Sequence, residues 1–554
     1  MVGSFIKAVT KEVRGMHEAA YLLAFFALLS QILGLFRDRL LASEFGIGQT
    51  LDVYYAAFRI PDFLFVTIAS LFSLYAILPV LSRIEEGSVR MLEGILVWFF
   101  ALTGAAAAIL YVFVPTLAPH LVPGFNLEQH GDLVTLTRIL LLQPILLGAS
   151  NVLSSLTQLR SRFVLYAISP LFYNCGIIFG IIALYPSMGI TGLAWGVVIG
   201  AGMHMLVQVP QFFVERGLEK PKKVSVPLRE ILTLSVPRTL ALASGQFTLL
   251  ALIALASSIT NGAISAFTFS MNLQAVPLAV IGMSYSVAAF PTLARFIGKG
   301  EKSSFLLHIT TALRHIVFWS IPAVIFIIVL RAQIVRVILG SGAFDWDATR
   351  LTAAALAVLI LSLTSQSIVY VLARGYYAAG KTARPVLLAL ISVIVSVASA
   401  VLLLAVFGES PFFKYFVETL LRVNGVDGTG VLMLAFGYSV GALISSGIGI
   451  WFFARDFEVS LGSLWGTVLR SFSSATIGGF FAYLTLTFMG NFVDINTFAG
   501  IFAQGLAGGI AALVVTALVL YLLKSQELRE VLDALTRKLR DKGEVAVEPS
   551  ELSS

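Results

Sequence analysis

Residues 384–407 read RPVLLALISVIVSVASAVLLLAVF. Apart from Arg384 at its start, the stretch holds no ionisable side chain. Coiled as a helix it is about 36 Å long, enough to cross a hydrocarbon core of about 30 Å. Its apolar residues run continuously and do not alternate, which excludes a barrel strand. A helix is then the form that satisfies its backbone inside lipid. Runs of the same kind recur in both directions along the 554 residues. The chain is 58% hydrophobic and 12% charged, with a mean hydropathy of +0.92, too little charge to clothe a soluble surface. Spans are predicted at 19–42, 52–81, 92–114, 133–158, 163–184, 190–213 and 229–257. They continue at 263–292, 304–330, 349–377, 384–407, 430–454, 463–489 and 497–523. The sequence thus predicts an all-α polytopic membrane protein with about fourteen spans.

The basic residues test that count. Alternate loops carry Arg83 and Arg90, then Arg160 and Arg162, then Arg216, Lys220, Lys222 and Lys223. The series continues with Arg295, Lys299 and Lys302, then Arg374, Lys381 and Arg384, then Arg455. The loops at 115–131, 185–189, 258–262 and 490–496 hold no Lys or Arg, whereas those near 331–348 and 408–429 break the pattern. The bias places both termini in the cytoplasm. It also accounts for the net charge of +7, so no nucleic-acid partner is expected. The N-terminal stretch SFIKAVTKEVRGMHE is amphipathic and lacks a cleavable apolar core. Cys175 is the one cysteine, which excludes an intrachain disulfide or a thiolate metal site.

The chain repeats itself. Leu78-Pro79-Val80-Leu81-Ser82-Arg83 recurs as Phe290-Pro291-Thr292-Leu293-Ala294-Arg295, and Pro170 corresponds to Pro385. Leu193-Ala194-Trp195-Gly196 with Gly200-Ala201 recurs as Leu434-Ala435-Phe436-Gly437 with Gly441-Ala442. The matches keep their order, which predicts two six-helix lobes related by a pseudo-twofold along the membrane normal, as in many transporters. The expected domains are an N-lobe at 1–226, a C-lobe at 227–457, two extra helices within 458–523, and a charged cytoplasmic tail at 524–554.

Charges inside a bilayer are costly and mark function. Gly34, Arg37 and Asp38 share a face of the first span, and Asp52, Tyr55, Arg59 and Asp62 form a stripe along the second. Two such faces on adjacent helices can open into one aqueous cavity, where the planar fork of Arg suits a phosphate. The competing reading is interfacial: Arg39 snorkels and Asp52 caps its own helix. If the cavity reading holds, Arg37 and Arg59 are the main anion contacts, Asp38 orients Arg37, and Asp52 pairs with a cavity arginine when substrate is absent. The second half offers Arg238, Gln246, Asn272 and Gln274, which serve equally as interhelical hydrogen-bond partners. Arg314 reads as snorkelling and His204 as a packing residue. No carboxylate lies between Glu230 and Glu301, or between Thr382 and Gly408, so a buried-acid cation site is missing from spans seven, eight and eleven. No metal cluster, P-loop or nucleophilic triad is visible, so no enzyme activity and no cofactor are expected.

The stretch Ile32-Leu33-Gly34-Leu35-Phe36-Arg37-Asp38-Arg39-Leu40-Leu41-Ala42, with Phe45-Gly46 and the run DVYYAAFRIP from Asp52 to Pro61, resembles the MurJ (MviN) family of lipid II flippases. The resemblance continues at Pro237 with Gln246, at Ala289-Phe290-Pro291-Thr292-Leu293, at Gly342-Ala343-Phe344-Asp345, and at Leu372-Ala373-Arg374-Gly375-Tyr376-Tyr377 with Arg384-Pro385. It implies the fold of the multidrug/oligosaccharidyl-lipid/polysaccharide exporter superfamily in a bacterial inner membrane. It also implies a substrate: undecaprenyl-pyrophosphate-linked peptidoglycan precursor, carried from inner to outer leaflet by alternating access. Spans thirteen and fourteen would form a groove for the lipid tail, floored by Gly478, Gly479, Gly505, Gly508 and Gly509. A monomer among membrane lipids is expected. The chain departs from the family at Gln31 and Asn272, where members usually carry Arg, at Phe65-Val66 in place of a double Arg, and at Ser70 in place of an acid. Those departures keep open export of another polyprenyl-linked glycan or a drug and, less favoured, a membrane-embedded enzyme of polyprenyl-linked sugars.

Overall fold

The computed structural model describes residues 16–72, 77, 80–81, 88–160, 162–218, 226–462 and 464–543. Every regular element among the described residues is helical. Eleven helices there are long and apolar enough to cross a membrane, beginning with Ser88–Leu121 and ending with Phe498–Leu522. Met16–Phe45, the pair Gln49–Ala57 and Arg59–Thr67, and Leu228–Ser257 fall where spans one, two and seven are predicted.

The second predicted span is not one helix. It breaks at Phe58 and again at Ile68. Pro61 explains the first break: it lacks the amide hydrogen that would bond the carbonyl of Ala57. Thr137 Oγ1 donates to that carbonyl instead, at 3.4 Å. The repeat motif at 78–83 lies largely outside the described residues, as do Lys220, Lys222 and Lys223 and the N-terminal amphipathic stretch up to Gly15.

The chain groups into two compact units. The first comprises Met1–Val276, Val335–Ser362 and Gly380–Ile448; the second comprises Pro277–Ile334, Leu363–Ala379 and Gly449–Ser554. In the first unit, two helix pairs close on glycine. Gly176 and Gly180 of the helix Phe163–Met188 meet Gly196 and Gly200 of Ile190–Gly217 backbone to backbone. Gly437 and Gly441 of Val431–Phe457 meet Ala400 and Ser396 of Ala383–Glu409 in the same way. Gly196, Gly200, Gly437 and Gly441 are the glycines of the sequence repeat, and in lipid such small-residue contacts let backbones approach where no hydrophobic force drives helices together. A side chain at Gly196 would strike the backbone of Gly180. Gly196→Leu is therefore expected to lose about 3 kcal/mol or more and to elute aggregated from detergent. Gly202→Ala, with open space around it, should elute and melt as the wild type does.

In the second unit the helix Lys302–Leu339 runs unbroken for 38 residues. Leu464–Met489 and Phe498–Leu522 pack along it. Gly479 sits on Ile325 and Val329, Gly505 on Gln333, and Gly508 on Leu330 and Leu486, while Gly478 faces Thr516 and Ala512. Gln333 Nε2 donates to Gln504 Oε1 at 3.2 Å. The glycines expected in the groove thus make helix contacts, since close approach needs small residues as a groove does. At one end the amphipathic helix Gln526–Gly543 docks through its carboxylates. Glu530 pairs with Arg314 at 2.5 Å and with His315 at 2.9 Å, and Glu527 accepts from Thr467 at 2.6 Å. Burial pushes the Glu527 carboxyl up, but bonds from Thr467 and Ser525 and the Arg470 charge outweigh it and hold the group below its ordinary value. Arg314 is therefore an ion-pair partner of the tail and does not snorkel. The tail beyond Gly543 lies outside the described residues.

Candidate functional site

The site grows from adjacent residues of the first helix. Arg37 donates through Nε and Nη2 to Asp38 Oδ1, at 3.0 and 2.7 Å. Neighbours on a helix do not normally face each other, so the pair needs outside support. Asn174, in Phe163–Phe179, accepts from Arg37 Nη1 at 3.1 Å. Asn272, in Ala263–Pro277, donates to Asp38 Oδ2 at 3.0 Å. Gly34 lies one turn before Asp38 and faces Asn174 Oδ1, leaving room for the amide. The Asp38 carboxylate is 3% exposed and the Arg37 side chain 23%. The guanidinium is thus fixed by three acceptor contacts, while part of the side chain stays accessible. Tyr54 and Tyr55 are buried within electrostatic range of Arg37. Tyr55 Oη has no hydrogen-bond partner among the described residues.

Arg59 is separate. Its Nε donates to the Tyr55 carbonyl at 3.1 Å. It lines a cavity of about 10 Å³, room for one water, with Thr137 and the apolar Ile60, Val114, Leu121, Leu133 and Ile253. Asp62 is the opposite charge acting on it. Gln143 Nε2 donates to Tyr173 Oη at 3.2 Å nearby, and Tyr173 in turn senses Asp62 and Arg37.

Asp52 departs from its expected role. Among the described residues it bonds to no arginine, and it does not cap its own helix. Its Oδ2 accepts from the amide of Gly262 at 2.6 Å and its Oδ1 from that of Ser265 at 2.7 Å. The carboxylate is 1% exposed and sits on the N-terminus of Ala263–Pro277, where the helix dipole favours a negative charge. Gly262 holds φ at +94°, a conformation few other residues adopt. Arg39 is also reassigned. Its Nη1 donates to the carbonyls of Val337 at 2.6 Å and Ile338 at 3.4 Å, at the C-terminus of Lys302–Leu339. An orphan helix end supplies those acceptors, so the residue is engaged and not snorkelling.

Further bonds join the same end of the first unit. Ala343 N donates to Ser43 O at 2.8 Å, Gly48 N to Ser265 Oγ at 3.3 Å, Gly124 N to Ser257 Oγ at 3.2 Å, and Gln129 Nε2 to Asn261 Oδ1 at 3.1 Å. Each links a residue within 43–129 to one within 257–343. The loops involved are 46–48, 122–126, 258–262 and 340–345, with the helix ends beside them, so within this unit one end is closed by a hydrogen-bonded seam.

Of the sequence candidates, Arg37, Asp38 and Asn272 come together, while Asp52 and Arg59 lie about one turn to either side of Tyr55 and bond elsewhere. Gln31 is exposed and Gln246 half-buried, and neither bonds to the cluster among the described residues. Arg238 lies in Leu228–Ser257 with its side chain outside the described residues, and so does that of Ser70. Gln274 donates to Leu359 O at 2.9 Å and Ser362 Oγ at 2.7 Å, and His204 bonds Ser150 at 2.8 Å; both are packing contacts. Asn174 was missed. The signal was available: it is an amide in an otherwise apolar span, and idle polar groups are rare there.

An all-helical multi-pass protein with a buried charge cluster beneath a closed end has the build of a membrane transporter. Its fold is shared with solved structures of that kind. It aligns with a lipid II flippase MurJ in an inward closed conformation at a TM-score of 0.71 and 22% identity, covering 91% of this chain and 99% of that one. An inward-facing multidrug MATE transporter aligns at 0.63 and 15% identity, over 80% of this chain and 98% of that one. The family model for the lipid II flippase MurJ matches residues 41–503. The chain belongs to that family. Among relatives, the lipid II flippase MurJ of Burkholderia cenocepacia is 26% identical over 66% of this chain and 74% of its own length. A probable lipid II flippase MurJ of Treponema pallidum is 23% identical over 83% and 86%.

Proposed function

We propose that the protein is a bacterial inner-membrane flippase that moves lipid II, an undecaprenyl-pyrophosphate-linked peptidoglycan precursor, between leaflets by alternating access. The family match over residues 41–503 carries this reading. The chemistry supports it. A pyrophosphate needs a planar donor held in place, and Arg37 is held by Asp38 and Asn174 with part of its side chain accessible. The unpartnered Tyr55 hydroxyl supplies a further donor. Arg59, Arg238, Gln246 and Gln31 are proposed as secondary contacts. Substrate bound at Arg37 competes for the network that fixes Asn272 and the helix Ala263–Pro277, whose N-terminus Asp52 holds at the closed end. Differential affinity for the two states then shifts the balance between them.

The reading includes fourteen spans, two lobes at 1–226 and 227–457, a tail-binding pair within 458–523, both termini in the cytoplasm, and a monomer. Reporter fusions after Arg216 and at Ser554 should read inside and one after Ser258 outside; an outside reading at Ser554 defeats the even span count. A second reading rests on Asn272, which puts a neutral amide where the family usually has a cation. A less cationic site favours another polyprenyl-linked glycan with fewer head-group charges. Expression in bacteria depleted of their own lipid II flippase separates the two. Restored growth supports lipid II as substrate, and lysis despite full expression supports the alternative.

A further inference from the structure

The helix Pro411–Leu421 wears its apolar residues on the outside. It lies in the loop between the spanning helices Ala383–Glu409 and Val431–Phe457. Phe412, Tyr415, Phe416 and Leu420 are 81%, 65%, 53% and 61% exposed. Their spacing of i, i+3, i+4 and i+8 sets them in one stripe. The opposite face meets the protein. Val417 is buried, the ring of Phe413 lies 6.2 Å from that of Phe407, and Lys414 Nζ sits 6.0 Å from the Phe407 ring centre. Glu418 accepts from Thr429 Oγ1 at 2.6 Å. Glu418 is therefore turned to the protein, Lys414 lies over Phe407 with about half of its side chain exposed on the side away from the stripe, and the stripe itself carries no charge. Its placement is fixed at both ends. Ser410 caps the first turn through the amide of Phe413, Pro411 follows it, and Arg422 stops the helix at φ 62°. Arg350 grips the exit by donating to the carbonyls of Arg422 and Asn424, each at 3.0 Å.

We infer that this helix is an interfacial anchor, lying in the membrane plane with the stripe sunk into the headgroup–acyl boundary, so that lipid is what covers it. Continuity argues for lipid. The helix starts two residues after Ala383–Glu409 ends, and that helix has a mean hydropathy of 2.9 over its most apolar window. A segment so close to the end of a spanning helix sits where the bilayer ends. Phe and Tyr are the residues that boundary selects, and a rigid amphipathic helix is the form that lies in it. The anchor sets the depth of the hairpin that follows, including Gly428, which packs on Thr260 of the closed end.

Depth measurement in vesicles of phosphatidylethanolamine and phosphatidylglycerol tests this. Cys175 is replaced by Ser, and single spin labels are placed at Phe412→Cys, Phe416→Cys and, as a water-exposed reference, Asp427→Cys. Labels at 412 and 416 should collide several-fold more with oxygen, relative to a nickel chelate, than the label at 427. The pair Phe412→Glu and Phe416→Glu, read at Leu420→Cys, should restore nickel access while the protein still elutes as a single species from detergent. Nickel access at 412 and 416 equal to that at 427 would place the helix in water and overturn the anchor. Shielding from both oxygen and nickel would mean that a protein covers the stripe, which overturns it as well.

Discussion

Replacing Arg37 by Ala is expected to abolish support of growth while the protein stays in the membrane at its wild-type level. Among the described residues, Arg37 is the cation that the cluster fixes, with part of its side chain accessible. Hydrogen bonds to charged groups are worth about 1.5–3 kcal/mol each. Losing two from a pyrophosphate lowers affinity by roughly 100-fold or more. Asp38 keeps its bond from Asn272, so the carboxylate is not stranded and the fold survives. Arg37→Lys should rescue only in part, because one ammonium cannot meet Asp38, Asn174 and a ligand at once. The same network makes a finer prediction at Asn272. Asn272→Arg still donates to Asp38 and should retain activity, whereas Asn272→Asp sets two carboxylates face to face and should lower it at least tenfold. Growth of a depleted strain, with membrane content measured in parallel, checks all four. Full growth with Arg37→Ala would remove Arg37 from the site.

Asp52→Ala carries the second large effect, on the conformational balance. Twin backbone bonds from Gly262 and Ser265 converge on a carboxylate that is sealed from solvent. Removing a helix cap costs about 0.5–2 kcal/mol, and a charged acceptor stands at the upper end. A loss of that size weights the closed seam roughly 10-fold less. Spin labels at Leu127→Cys and Asp427→Cys, in a Cys175→Ser background, report the separation across this end. The wild type should give one short distance, and Asp52→Ala a second, longer one, with transport falling. Asp52→Asn should lie between, since its amide accepts one bond and loses the charge. An unchanged distribution in Asp52→Ala would mean that the seam does not depend on this cap.

The membrane architecture was legible because lipid imposes one demand, an unbroken apolar run, and residues 384–407 state it outright. The Arg37–Asp38 pair was legible for the same reason, since a charge in such a run needs cause. What escaped was every contact whose other partner is backbone. Asp52 was expected to seek a cation and found two amides; Arg39 was expected to reach for the interface and found two carbonyls. Backbone donors and acceptors are the same at every residue, so only the fold says which are left open at a helix end. The break at Phe58 is readable from Pro61, but the hydropathy of the span runs on across it without a sign. Glycine was ambiguous by nature. Gly505 and Gly508 suit a lipid groove or a helix contact equally from sequence; in the fold they lie against Gln333 and Leu330 of Lys302–Leu339.

The central claim is that Arg37 and its partners hold the pyrophosphate of lipid II. Binding of lipid II to the purified protein, against undecaprenyl phosphate and against an unrelated anionic phospholipid, tests it most directly. The account predicts that the wild type prefers lipid II over both by at least tenfold and that Arg37→Ala erases the preference. Equal binding of lipid II by the wild type and by Arg37→Ala would contradict it.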